Sequence, residues 1–254
     1  MRIFAANPGA LQRGFGFFGG AGRVISLVGG GGKSTLMYFL ASTSARQGKR
    51  VLVTTTTNIF APNPEIYAET EEQAKQLWEQ GKIAVIGTPI PGEGKLKEPD
   101  SVLFRRLMDQ ADITFIEADG SKHCPVKAPR EGEPVIIPEC DTVLAVMGLS
   151  AIGKPLKEVA FRLRSVTRLL GVEEDHILTE EDAARLLSSC FGSRKGVGDR
   201  KFCVVLNQCD DGPRRRAATL IAQYLERYDV PNAVFTAFDP DERELFNQMA
   251  GANS

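Results

Sequence analysis

The sequence predicts an α/β protein: a mainly parallel sheet with helices on both faces, and a helical insertion. Short runs rich in β-branched residues alternate with helical patterns, which is typical of such a sheet. The runs are apolar without strict alternation, as expected of strands that are buried on both faces. A chain of 254 residues is long enough for one large core, so we expect a single domain over residues 1–254.

Predicted strands and helices follow one another along most of the chain. The strands are expected at residues 24–28, 50–55, 83–86, 113–117, 142–147, 202–206 and 233–235. Thr70, with Gln73 three residues later, is a capping box that predicts a helix ending near Gly81. Asp211, followed by glycine and proline, predicts the start of a helix that extends through Tyr228.

Three segments depart from this alternation. Residues 14–22 are rich in glycine and predict a flexible lead-in to the first strand. Residues 88–99 are rich in turn-forming residues and predict a loop or a small hairpin. Residues 149–198 contain two helical patterns and no convincing strand, so we interpret them as a helical insertion between two strands of the sheet.

Composition and charge limit the classes of function. The formal net charge is −1, so no overall field favours nucleic acid or an anionic membrane. No apolar stretch approaches the ~20 residues of a membrane span, and the N-terminus lacks the apolar core of a signal peptide. The five cysteines are scattered without a C-x-x-C pair, which favours reduced thiols. We expect a cytoplasmic protein that binds neither nucleic acid nor a membrane.

A glycine run between a predicted strand and a predicted helix is the strongest functional signal. Glycines let backbone N–H groups approach an anion, and the helix N-terminus adds partial positive charge. Lys33 would then contact the β- and γ-phosphates, and Ser34 would bind Mg²⁺. Because Leu27 stands where the usual phosphate loop has its first glycine, the match is to a shorter loop, G-x-x-G-K-S. The residues expected to bind the nucleotide here are Gly29, Gly30, Gly31, Gly32, Lys33, Ser34 and Thr35. The alternative is a flexible linker, which the flanking strand and helix disfavour.

A phosphate site of this kind needs carboxylates near the metal. Glu117 and Asp119 follow a buried strand and alternate along it, so their side chains share a face. One of them would hold Mg²⁺ and the other would position water. We assign catalytic roles to Lys33, Glu117 and Asp119, and metal binding to Ser34, Asp119 and Thr56. An Asp-Gly turn at the strand end, and threonine as a strand former, are the alternatives.

Two further elements point to the base and to a second substrate. Asn207 and Asp210 form N-x-x-D after a strand, which is similar to the N-K-x-D element of GTP-binding proteins. Their alternative role is a strand end and a helix cap, so the choice between ATP and GTP stays open. Lys122, Lys127 and Arg130 lie in the loop after Asp119, and we expect them to bind an anionic second substrate.

Five segments also resemble a known family, the YqeC-type proteins, in the same order along nearly the whole chain. They are VISLVGGGGKST, TTTTNIFAP, EADGSKHCPVKAPREGEPVIIP, GLSAIGKPL and VVLNQCD. The family is described as accessory proteins of selenium-dependent hydroxylases, or as selenium cofactor biosynthesis proteins. The resemblance implies a P-loop NTPase fold and a role in maturing molybdenum hydroxylases that carry labile selenium. Gln208 departs from the family pattern, which has lysine there.

Three functions are compatible with these signals. The first is a Mg²⁺-dependent NTPase or nucleotide-driven transferase that uses ATP or GTP in the maturation of selenium-dependent molybdenum hydroxylases. The second is a kinase or ligase acting on a small anionic substrate or a selenium or molybdenum cofactor species. The third is a non-catalytic, nucleotide-gated chaperone for an apo-hydroxylase. Turnover by the isolated protein would distinguish the two enzymes from the chaperone.

Overall fold

The computed structural model describes residues 1–5 and 23–251, so the glycine-rich residues 14–22 lie outside the described part. The described strands are β1 (Arg2–Ala5), β2 (Arg23–Gly29), β3 (Val51–Thr55), β4 (Asn58–Phe60), β5 (Ala84–Val85), β6 (Thr88–Ile90), β7 (Lys95–Lys97), β8 (Ile113–Glu117), β9 (Val126–Lys127), β10 (Thr142–Gly148), β11 (Ala160–Phe161), β12 (Lys201–Asn207) and β13 (Ala233–Ala237). The described helices are α1 (Lys33–Arg46), α2 (Glu71–Glu79), α3 (Ser101–Gln110), α4 (Leu156–Val159), α5 (Leu163–Leu170), α6 (Glu180–Ser188), α7 (Gly212–Arg227) and α8 (Pro240–Met249).

Eight of these strands form one sheet in the order β1-β13-β12-β10-β2-β8-β3-β5. Every neighbouring pair is parallel except β1, which runs antiparallel to β13 at the edge. The predicted α/β class with a mainly parallel sheet is therefore confirmed. All seven predicted strands are present, as β2, β3, β5, β8, β10, β12 and β13, with ends within two residues of those expected.

Side chains alternate between the two faces of the sheet, and helices cover both. Along β2, Ile25 and Leu27 pack with α1 and α8, whereas Val24 and Val28 pack with α5, α6 and α7. A third apolar cluster joins α2 and α3 to Leu52 and to the β5 region. Because both faces are covered, strands of the sheet carry few polar residues in their middles, as their sequences had indicated.

The predicted local signals also have counterparts in the structure. Thr70 and Gln73 form the capping box of α2, and the Asp211 side chain accepts a hydrogen bond from Arg214 N at the start of α7. Within residues 88–99, β6 and β7 form an antiparallel hairpin, which β4 extends to three strands.

The segment 149–198 lies between β10 and β12 and contains α4, α5 and α6. It also contains the two-residue strand β11, which the sequence did not predict and which pairs with β9. Val166 of α5 and Leu187 of α6 belong to the same apolar cluster as Val204 of β12. The inserted helices therefore share a core with the sheet. None of the helices in the described part of the chain is long and apolar enough to cross a membrane.

Candidate functional site

The glycine run forms a tight loop at the carboxyl end of β2, between the flanking strands β8 and β10. Gly29, Gly31 and Gly32 have φ values of 97°, 72° and 105°, a region that residues with side chains rarely adopt. Gly32 caps α1, which begins at Lys33. The loop therefore lies at the edge of the parallel sheet where ligands of α/β proteins bind.

Close backbone packing gives a second reason for the glycines. A Cβ atom on Gly29 would lie 2.2 Å from Val146 O, and one on Gly30 would lie 2.4 Å from Cys124 O. Gly30 N donates to Val146 O (2.8 Å), and Gly31 N donates to Cys124 O (3.1 Å). These N–H groups are thus bound within the protein.

The N–H groups that remain for an anion lie at the start of α1. The first intrahelical bond runs from Leu36 N to Gly32 O (3.0 Å), so the N–H groups of residues 33–35 precede it. Their partial positive charge makes this end of α1 the part of the loop that is suited to an anion.

Lys33 is buried beside two carboxylates. Its Nζ donates to Gly29 O (2.8 Å) and lies 3.2 Å from Asp119 Oδ1 and 3.7 Å from Glu117 Oε1. Burial opposes the ammonium charge, but the two carboxylates outweigh it, so the pKa of Lys33 is raised and the side chain is positively charged at neutral pH. The structure thus brings together three residues that the sequence had assigned to catalysis.

Glu117 and Asp119 have different surroundings. Ser34 Oγ donates to Glu117 Oε2 (2.8 Å), so this carboxylate lies at the start of α1. Asp119 accepts from Gly29 N at 3.1 and 3.0 Å, and its Oδ2 lies 2.9 Å from Lys127 Nζ. Asp119 therefore holds the glycine loop in place, whereas Glu117 faces the hydroxyl at the helix terminus.

Lys127 and Arg130, expected to bind a substrate, are paired with a carboxylate to which the sequence assigned no role. Glu133 is buried and accepts from Lys127 Nζ (3.3 Å), Arg130 Nε (3.2 Å) and Arg162 (2.6 Å). Lys127 also donates to Gly120 O (2.7 Å). Glu133 lies three residues after Arg130 and six after Lys127, and this spacing was the signal available in the sequence. The contact with Arg162 comes from the inserted segment.

Two other predicted residues, Thr56 and Asn207, make contacts away from Ser34. Thr56 Oγ1 donates to Val135 O (2.7 Å). Asn207 Nδ2 donates to Gly31 O (2.8 Å), and its Oδ1 accepts from Thr236 Oγ1 (2.9 Å), so this side chain supports the glycine loop.

Asp210 lies in an ion-pair cluster. Its Oδ2 is 2.9 Å from Arg214 and 3.4 Å from Arg243. Lys122 and His123 lie in the exposed turn after Asp119 and have positive φ values of 47° and 64°.

Two cavities meet at the start of α1. The larger, about 530 Å³, has Lys33, Ser34 and Glu117 in its wall. The smaller, about 190 Å³, is bordered by Asn207 and Gln208 at the end of β12. The cavities share the wall residues Gly32, Thr35, His123 and Asn247.

The residues of the larger cavity are compatible with Mg²⁺ bound together with phosphates. Within residues 1–5 and 23–251, no group of three or more His, Cys, Asp or Glu side chains is placed to hold a metal by itself. Mg²⁺ usually takes one or two protein ligands and completes its shell with water and substrate phosphates. The Ser34 hydroxyl and the Glu117 carboxylate, 2.8 Å apart, are oxygen donors of that kind.

The fold and the site define an α/β protein with a short phosphate-type loop, in which a strand, four glycines, Lys33 and Ser34 lead into α1 beside a carboxylate-bearing strand. The family model described as YqeC protein matches residues 25–164. The chain is 31% identical over 225 residues to "Uncharacterized protein YqeC" of Escherichia coli (strain K12), covering 82% of this chain and 84% of the relative. The chain belongs to the YqeC family.

Two solved structures were also found to be similar at low sequence identity. One is the MinC:MinD cell division protein complex of Aquifex aeolicus, at 13% identity and a TM-score of 0.45, covering 88% of this chain and 86% of the other. The second is the hydrogenase maturation factor HypB of Archaeoglobus fulgidus, at 11% identity and a TM-score of 0.34, covering 94% and 91%.

Proposed function

We propose that the chain binds a Mg²⁺–nucleoside triphosphate at the start of α1 and acts as an NTPase or a nucleotide-driven transferase. The observation that carries this proposal is the contact between Ser34 Oγ and Glu117 Oε2 (2.8 Å) beside the buried Lys33. A hydroxyl, a carboxylate and an ammonium group meet there at a helix N-terminus, where the N–H groups favour a phosphate. These are the groups that metal-assisted phosphate chemistry requires.

Glu117, rather than Asp119, is the carboxylate that we propose for the Mg²⁺ site, with Ser34 as the second protein ligand. Both oxygens of Asp119 accept from Gly29 N, and the same carboxylate pairs with Lys33 and Lys127. Its proposed role is to position the loop and Lys33. Thr56 has no proposed metal role, because its hydroxyl donates to Val135 O and its side chain is outside the wall of the larger cavity.

We propose weak discrimination between ATP and GTP. Asp210, the residue expected to read guanine, is paired with Arg214 and Arg243 and is not part of the wall of the smaller cavity. Asn207 is engaged with Gly31 and Thr236. Reading the base through Asp210 would require these ion pairs to open, at a cost in free energy that guanine contacts must first offset.

The cellular role that we propose, maturation of selenium-dependent molybdenum hydroxylases, is supported by the family resemblance alone. An apo-hydroxylase and a selenium or molybdenum cofactor species are the corresponding partners. A kinase or ligase acting on a small anionic substrate is the second candidate, which the size of the larger cavity favours. The selenium content of a molybdenum hydroxylase purified from cells with and without this protein tests the cellular role, and equal content would contradict it.

Nucleotide binding is tested by calorimetric titration with Mg²⁺-ATP and Mg²⁺-GTP. We expect Ser34→Ala and Lys33→Ala to weaken binding of both nucleotides about tenfold or more, because each removes a contact to a charged group. The matched control is Lys154→Ala, at an exposed lysine far from the loop in sequence. Lys33→Ala also removes a cation that pairs with two buried carboxylates. If this variant does not fold, the affinity of Ser34→Ala decides the test. Parent-like affinity of Ser34→Ala would contradict the proposed site.

A further inference from the structure

The positions of the two cavities indicate how a bound nucleotide is oriented along the start of α1. Lys33, Ser34 and Glu117, the groups that suit a terminal phosphate and its metal, line the larger cavity. Asn207 and Gln208 line the smaller one. A nucleotide lying along the start of α1 therefore has its nucleoside in the smaller cavity and its terminal phosphate at the larger, a step that rests on the function proposed above. The larger cavity has a total volume of about 530 Å³. Because only the terminal phosphate and its metal enter it, most of this volume is left for another molecule.

Aromatic rings and cations line that remaining space. Phe60 and His123 stack with their ring centroids 5.8 Å apart and an interplanar angle of 27°. Phe161 belongs to the same wall, and its ring is flanked by Lys122, whose Nζ is 5.7 Å from the ring centroid, and by Arg162, whose Cζ is 4.9 Å from it. Flat faces suit a conjugated ring, and the cations suit an anionic group.

Two buried polar atoms in the same wall have no hydrogen-bond partner among the described residues. They are the hydroxyl of Tyr38 and Nε of Arg162. Tyr38 is only 1% exposed, and burial together with the nearby Glu117 charge raises the pKa of its hydroxyl, which therefore stays protonated as a donor. A buried donor without a partner is unfavourable unless a ligand or water supplies an acceptor.

The turn that carries two of the lining residues has an unusual backbone. Lys122 and His123 are consecutive non-glycine residues with positive φ. Such conformations are unfavourable and cluster at ligand-binding sites, where the surrounding structure maintains them. This turn directs both side chains to the wall of the larger cavity.

We propose that the larger cavity binds a second ligand: a planar conjugated ring that carries an anionic group. The ring packs on the aromatic side chains of Phe60, His123 and Phe161. The anionic group is held by Lys122 and Arg162, and Tyr38 donates a hydrogen bond to the ligand. A volume of about 530 Å³ is sufficient for a molecule of this type.

The probe for this site is flavin mononucleotide, which combines a conjugated ring with a phosphate. Its binding is followed by flavin fluorescence anisotropy, first without nucleotide and then with saturating Mg²⁺ and a slowly hydrolysed ATP analogue. We expect flavin mononucleotide to bind about tenfold or more tightly than riboflavin, which lacks the phosphate, and than glycerol phosphate, which lacks the ring. Both comparison ligands are measured by competition.

Variants locate the bound probe. Phe161→Leu and Lys122→Gln are expected to weaken flavin mononucleotide binding about five- to tenfold, since each removes one recognition group. The controls are Phe191→Leu, at a residue that is 76% exposed and outside the cavity wall, and Lys154→Ala. Calorimetric affinity for Mg²⁺-ATP is expected to be unchanged in all four variants.

Each alternative outcome is decisive. Absence of flavin mononucleotide binding, equal binding of riboflavin, unchanged binding in both cavity variants, or displacement of the probe by the ATP analogue would overturn the second site. Failure of Mg²⁺-ATP to bind the parent would instead overturn the proposed function. The two failures are separate, because the probe and the nucleotide are titrated independently.

Discussion

Buried charges of opposite sign alternate along a line of side chains that begins at the phosphate-type loop. Lys33 lies between Glu117 and Asp119, and Lys127 lies between Asp119 and Glu133. Each charge is compensated by the next, which makes their burial tolerable. Loss of one member removes one compensating charge from each of its neighbours, so the effect depends on how many neighbours that member has.

Neutralising Asp119 is therefore expected to lower stability more than neutralising Glu117. Asp119→Asn removes one of the two carboxylate partners of both Lys33 and Lys127 and weakens the contact with Gly29 N, and we expect a loss of about 3–5 kcal/mol in the free energy of unfolding. Glu117→Gln leaves Lys33 paired with Asp119, and we expect a smaller loss of stability together with loss of the Mg²⁺ dependence of nucleotide binding.

Urea unfolding measures the stability of the two variants, and calorimetric titration with and without Mg²⁺ measures the metal dependence. A normal Mg²⁺ response in Glu117→Gln, with a lost response in a folded Asp119→Asn, would return the metal role to Asp119.

At the scale of elements, the loop between β2 and α1 is built against β10 and the turn that contains Cys124. Gly30 N bonds to Val146 O, and Gly31 N bonds to Cys124 O. The loop is thus part of the packing of the sheet edge as well as the ligand site that we propose.

Gly30→Ala is expected to destabilise the protein because its Cβ would lie 2.4 Å from Cys124 O, a backbone atom. We expect a loss of about 1–3 kcal/mol, as for other overpacked sites. Gly120→Ala is the matched control: it lacks a positive φ, and no atom lies within 4 Å of its added Cβ. Thermal unfolding compares the two variants, and equal melting temperatures would show that the loop backbone yields easily.

The sequence predicted the central elements well because their signals are local. An apolar β-branched run such as β8 can be recognised as a strand from its own residues, and the capping box at Thr70 marks a helix start in the same way. Strand β1 was missed because it has only four residues and pairs with β13, from the other end of the chain. Its edge position is set by a long-range contact that no local pattern encodes.

The same distinction between local signals and long-range contacts holds within the site. Lys33, Ser34 and Glu117 were found from a local motif and a strand end. The pairing of Lys127 with Glu133, and of Glu133 with Arg162, depends on how the inserted segment packs, which residue spacing does not reveal.

At the scale of the whole molecule, the inserted helices and the sheet share one apolar cluster. Leu187 of α6 is 2% exposed and packs in the cluster that includes Val204 of β12. We propose that the described chain therefore unfolds as one unit, consistent with the single domain expected from its sequence.

Leu187→Ala tests whether the described chain unfolds as one unit. We expect a loss of about 2–5 kcal/mol and one shifted transition, because a cavity in a shared core weakens the entire unit. Trp78 is the single tryptophan of the chain, and its Nε1 donates to Val51 O at the β3 side of the sheet. Its fluorescence and the helical circular dichroism should change together during unfolding. A dichroism change that precedes the fluorescence change would indicate that the insertion unfolds by itself.

The tight packing of the glycine loop also has an evolutionary consequence. Gly29 and Gly30 are required by the contacts of the loop with Val146 and Cys124, whether or not a ligand binds. We expect a descendant that has lost nucleotide binding to retain these glycines under selection for folding, whereas Ser34 and Glu117 would drift. In such lineages the hydroxyl and the carboxylate, and not the glycines, would record whether the ancestral chemistry survives.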